Sequence, residues 1–96
     1  MENRTTRLEF TGAIFKEKNV FVSLCLEVDV ASQGRTKHEA KRMLAEAVSL
    51  YIESCMENNA PYLRPVPPEE DPRVHSDRKF VEIFPLKIGI QVHAVV

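Results

Sequence analysis

Residues 32–58 read SQGRTKHEAKRMLAEAVSLYIESCMEN, a short polar turn that runs into one long amphipathic helix. Thr36 stands where an N-cap belongs and Glu39 follows three residues later. This is the capping-box pattern: the Thr hydroxyl accepts from the N3 amide and the Glu carboxylate reaches back to the cap amide. Ala40, Met43, Leu44, Ala47, Val48, Tyr51, Ile52 and Cys55 recur in steps of three and four, which keeps them on one face. Lys41, Arg42, Glu46, Ser49, Glu53 and Glu57 make the other face. Asn58 and Asn59 tolerate the left-handed conformation that ends helices, and Pro61 blocks continuation. The spacing predicts a helix over 37–58, roughly 30 Å long at the usual rise per residue. Its apolar stripe needs a surface to cover.

The flanking segments supply that surface. Residues 7–15 alternate, with Leu8, Phe10, Gly12 and Ile14 on one side and Arg7, Glu9, Thr11, Ala13 and Phe15 on the other. After the polar break at 16–19, residues 20–30 alternate again, the even positions from Val20 to Val30 all being apolar. Two such runs predict an antiparallel hairpin whose even faces lie under the helix. Residues 31–35 fit a brief third strand, and Gly34 permits a positive φ before the cap. Residues 59–79 hold five of the six prolines, so they read as an extended connection crossing the helix, pinned by Tyr62, Leu63 and Val66. Residues 80–95 are β-branched and aromatic and form a last strand, in which Pro85 points to an edge or a bend. A right-handed crossover would lay this strand parallel to the first. The expected class is α+β, with order ββ(β)αβ. One long helix covers one face of a three- to four-stranded mixed sheet in a single 96-residue domain.

A helix covers only one face. Phe15, Phe21, Cys25, Val81 and Ile83 are expected on the other, which is more apolar than a solvated face needs to be. They are the candidate protein interface, and self-association into a dimer or tetramer would bury them. Scattered exposed apolar residues are the plainer reading of the same positions.

Composition excludes several classes. The net charge is −1 with no basic run, so direct nucleic-acid binding is not expected. No apolar window is long enough for a membrane helix, and MENRTTRLEF has no signal-peptide core, which implies a cytoplasmic chain. Cys25 and Cys55 match no zinc or redox spacing and are expected as free thiols. His75, Ser76 and Asp77 are adjacent on a loop, where a triad rarely converges. His38 and His93 lack neighbours at metal-ligand spacing, and Glu69, Glu70 and Asp71 read as a solvated loop. Three glycines leave no phosphate-cradling loop. No catalytic, cofactor or metal site and no small-molecule substrate is expected.

Ser32-Gln33-Gly34-Arg35-Thr36, then Glu39-Ala40, Leu44, Glu46-Ala47 and Leu50-Tyr51-Ile52, resemble the turn and helix of the HicB antitoxin family. The hairpin with Cys25 and Leu26-Glu27-Val28-Asp29-Val30, the proline-rich segment from Pro61 to Pro72, and the closing strand agree in order, so the resemblance spans about residues 8–95. It implies a partial RNase H-like fold and a non-catalytic protein that binds and neutralises a HicA-like toxin, an mRNA-cleaving enzyme. Many members carry a further DNA-binding domain; none is read here, so operator binding is not expected. Glu9 and Glu27 alone would not make a nuclease site. The other reading is a stand-alone oligomerising domain without a toxin partner.

Overall fold

The protein is described by a computed structural model over residues 2–71 and 79–94, with side chains over 5–71 and 79–90. Its elements are β1 (Glu2–Glu17), β2 (Val20–Cys25), β3 (Val30–Gly34), helix α1 (Lys37–Glu57), a 3-10 turn (Pro68–Glu70) and β4 (Lys79–Ala94). The strands form one sheet in the order β3-β2-β1-β4, with α1 against one face. The α+β class and the single helix on a four-stranded sheet are as expected. His75, Ser76 and Asp77 lie outside the described residues, as does the side chain of His93.

The sheet is antiparallel throughout, not mixed: β4 runs against β1 over its whole length, from Lys16↔Lys79 to Glu2↔Ala94. The reason is the path of the connection. β3 ends beside Phe21, near the start of β2, and α1 sets out from that end of the sheet. The chain after α1 then hydrogen-bonds to the turn at 26–29, with the Arg64 amide donating to the Glu27 carbonyl at 3.0 Å and the Val66 amide to the Leu26 carbonyl at 2.9 Å. It does not return along the helix. It goes around to the other face, where Val66 packs with Ala13, Phe15, Val22 and Leu26, and β4 starts opposite Lys16. Of the three expected pins, Tyr62 packs against the helix-side core and Val66 against the opposite cluster, whereas Leu63 is exposed.

The run 20–30 is two strands, not one. Residues 26–29 turn, with Asp29 at φ 48° and its amide donating to the Cys25 carbonyl, and β3 begins at Val30. The even faces of the hairpin also do not coincide. Glu17 pairs with Val20 and Gly12 with Cys25. With an even number of loop residues, opposed positions have opposite parity, and opposed positions share a face. Phe10 and Ile14 of β1 therefore meet the helix beside Cys25, Ser23 and Phe21 of β2, while Val20, Val22, Leu24 and Leu26 join the cluster on the far face.

α1 keeps the strictest part of its stripe. Ala40, Leu44, Val48 and Ile52 are fully buried, and Leu50 stays exposed. The Thr36 hydroxyl caps the helix by accepting from the Glu39 amide at 3.0 Å. The Glu39 carboxylate reaches one residue further back than a standard capping box, to the Arg35 amide. Asn59 takes φ 52°, and bonds from its amide to Met56 and from the Ala60 amide to Cys55 close the C-terminus as a Schellman motif.

Gly34 does not use a positive φ. It is needed for close approach: a Cβ there would lie 2.5 Å from the Ala40 nitrogen and 2.8 Å from the Glu39 carbonyl carbon. Beside it, the buried Ser23 hydroxyl donates to the Ala40 carbonyl at 2.9 Å. The first helical turn is thus seated on β2 and β3 by a missing side chain and one buried hydrogen bond.

Thr36→Ala is expected to cost about 1 kcal/mol through loss of the cap. Gly34→Ala is expected to cost more, because backbone rather than a mobile side-chain tip must yield. Denaturant midpoints of the two variants check the order; equal midpoints would place the helix start incorrectly.

Candidate functional site

The strands differ greatly in length. β1 and β4 have 16 residues each, but β2 has six and β3 five. At about 3.3 Å per residue a 16-residue strand accounts for the molecule's 49 Å long axis. Beyond Thr11, β1 and β4 continue as a two-stranded ribbon with no described strand on either side.

Alternation in an antiparallel ladder fixes which backbone groups those edges present. The Thr11 carbonyl accepts from the Leu26 amide at 3.0 Å and the Thr11 amide donates to the Glu27 carboxylate at 2.8 Å, so both Thr11 groups point away from β4. Its partner Pro85 then has its own backbone groups turned outward from β1. Counting on in twos, Lys87 and Gly89 point their amides and carbonyls to the outer edge of β4, and Glu9, Arg7 and Thr5 point theirs to the inner edge of β1. Pro85 is an edge residue, as its chemistry requires; a proline there costs no bond to β1.

Glu27 closes the sheet where β2 departs. One carboxylate oxygen accepts from the Thr11 amide and the other from the Thr11 hydroxyl, both at 2.8 Å. It occupies the place the next β2 residue would have taken, and below it the β1 edge is open. Glu9 lies further along β1, opposite Lys87. Among the described residues no group of three or more His, Cys, Asp or Glu side chains stands close enough to hold a metal ion.

The five residues expected on one apolar face are divided. Phe21 and Cys25 lie on the helix side, Cys25 with no exposure. Val81, at the irregularity where the register shifts between Ile14 and Phe15, packs toward the helix-side core. Phe15 is on the far face but buried, with its ring edge-on to Phe80 at 5.9 Å between centroids. Ile83 alone of the five is both on the far face and exposed, at 41 %, and Phe80 beside it, not anticipated from the sequence, is equally exposed. The even number of residues between the hairpin strands was the sequence signal for the placing of Phe21 and Cys25.

A cationic flank borders β4. His38, Lys41, Arg42 and Ala45 of α1, with Phe84, Pro85, Leu86 and Lys87 of β4, line one shallow groove. Glu82 sits at its head, bonded to Lys41 at 3.1 Å and to Lys37 at 3.4 Å, and the Lys41 bond holds its carboxyl below the usual range. Lys41 also lies over the Phe84 ring at 4.9 Å.

Cys25 and Cys55 are both free thiols. Burial pushes the Cys25 thiol up to about 11, so it is protonated and enclosed at neutral pH. Iodoacetamide at pH 8 should therefore label one cysteine per native chain, at Cys55, and two after denaturation. Mass spectrometry reads the count; rapid native labelling of Cys25 would contradict its burial.

No helix among the described residues is long and apolar enough to cross a membrane. Comparison of the chain with protein-family models, with curated proteins and with solved structures finds no match in any of the three.

Proposed function

We propose that this chain is a non-catalytic binding protein of HicB-like antitoxin type, whose β1–β4 ribbon takes up a strand of a HicA-like, mRNA-cleaving toxin and blocks the toxin's active surface. The observation that carries this reading is the pair of open ribbon edges, with backbone donors and acceptors of Lys87 and Gly89 on one side and of Thr5, Arg7 and Glu9 on the other. Strand addition satisfies such groups directly, while side chains at alternate positions select the partner. The resemblance of residues 32–58 and the element order β-β-β-α-β support the toxin class and the description as a partial RNase H-like domain. The antiparallel β4 departs from the mixed sheet expected for that description. The chain would act in the cytoplasm, where mRNA is.

A second reading has its own observation. Phe80 and Ile83 expose neighbouring apolar surface on the face opposite the helix. A stand-alone domain that forms a dimer or tetramer by burying them accounts for that patch without a toxin.

Co-expression of the chain with a HicA-type toxin separates the two. The antitoxin reading expects a complex of fixed stoichiometry by native mass spectrometry and loss of RNA cleavage when the chain is in excess. Undiminished cleavage at saturating chain contradicts it. Ile83→Lys is expected to lower the native mass only under the oligomer reading.

A further inference from the structure

We infer that the groove between α1 and the outer edge of β4 is a docking site for an extended acidic peptide segment, which joins the four-stranded sheet as one more strand beyond β4. This rests on the proposed function's strand-accepting ribbon, and it names the edge used and the chemistry of what is accepted.

Three features converge on this edge. The first is the ladder: Lys87 and Gly89 turn their amides and carbonyls outward. Pro85 offers no amide, so it limits where an added strand can bond and favours the stretch that follows it. The second is space. An added strand would lie about 4.8 Å from β4. On the helix side its side chains would pass Ala45, a small residue in the lining of the groove, and on the far side they would pass Gly89.

The third is charge. Arg42 and Lys87 are in no ion pair among the described residues, although Glu9 stands opposite Lys87 on β1, and they stand on opposite sides of the strand's path. His38, one turn before Arg42, adds a hydrogen-bonding side chain to the same lining. The one acid at the head of the groove, Glu82, is already held by Lys37 and Lys41. Carboxylates alternating along an incoming strand would supply the missing counter-charge on whichever face they fall, and a basic strand would meet like charge. The β4 edge of a second copy is a poor match, because over the described side chains β4 carries Lys79 and Lys87 against the single, engaged Glu82.

The test is an amide-resolved NMR titration of the full chain with a short peptide of alternating valine and glutamate. The control is the same peptide with lysine for glutamate. The inference expects the glutamate peptide to shift the Lys87 and Gly89 amides, with affinity falling as salt is raised. In the double variant Arg42→Glu/Lys87→Glu, affinity for the glutamate peptide falls at least tenfold and the lysine peptide begins to bind. Both positions are exposed, and an unchanged spectrum elsewhere verifies the variant's fold. If both peptides bind the edge equally, acidic selection is overturned while strand acceptance stands. If neither perturbs β4, the docking site is overturned; suppression of toxin cleavage through the inner β1 edge would still be measured separately.

Discussion

The register of the β1–β2 hairpin governs the rest of the structure. Pairing Glu17 with Val20 leaves two loop residues, with Lys18 at φ 50°, and so places even positions of β1 opposite odd positions of β2. Ser23 therefore comes under the helix, where its hydroxyl holds the Ala40 carbonyl. A slip of one residue would put Val22 or Leu24 in that place and leave the buried helix carbonyl without its partner, besides turning a run of apolar residues to the wrong side. The same register sends Val20, Val22, Leu24 and Leu26 to the far face. That face then needs a cover of its own, and the proline-rich segment supplies part of it through Val66. β4 then enters opposite Lys16 and runs against β1.

From that direction follows the ribbon. β4 entering opposite Lys16 can pair with the whole of β1, whereas β2 leaves after Cys25. The mismatch exposes backbone on the inner edge of β1, β4 as the last strand exposes its outer edge, and the fold answers the two unevenly. Glu27 stops the inner edge at one point, with both carboxylate oxygens on Thr11. On the outer edge, Pro85 and Lys87 are devices that discourage indiscriminate pairing, and the irregularity at Val81 adds a third. Devices of this kind fit a strand that must refuse most partners. Under the proposed function, they allow the surface to stay soluble while it waits for one.

Much of the architecture was legible in residues 32–58. The cap, the helix, its stripe and its Asn59 terminus are local features, and each depends on side chains within one or two turns of its own position. The edge role of Pro85 was legible for the same reason: a missing amide has one meaning in a ladder. What the sequence reading missed are matters of register and path. The facing of Phe21 and Cys25 depends on loop parity, which the length of the polar break at 16–19 carries. The turn at 26–29 lies in an unbroken alternating run, with no glycine or proline to mark it, and Asp29 takes its positive φ without one. The direction of β4 and the hydrogen bonds of Arg64 and Val66 to a turn over 35 residues earlier in the chain are long-range features, which no local pattern encodes. The open inner edge of β1 was legible least of all. It is a difference between strand lengths and appears only when the strands are placed side by side.

Residue-resolved amide hydrogen exchange on the free chain tests the open-edge account most directly. The account predicts alternation along the ribbon. Leu86, Ile88 and Ile90 should be protected by β1, with Lys87 and Gly89 exchanging rapidly. On β1, Leu8 should be slow and Arg7 and Glu9 fast, and the Thr11 amide should be slow because Glu27 holds it. Protection of the Lys87, Gly89, Arg7 and Glu9 amides equal to that of their neighbours would mean that the edges are already closed, and would contradict the account.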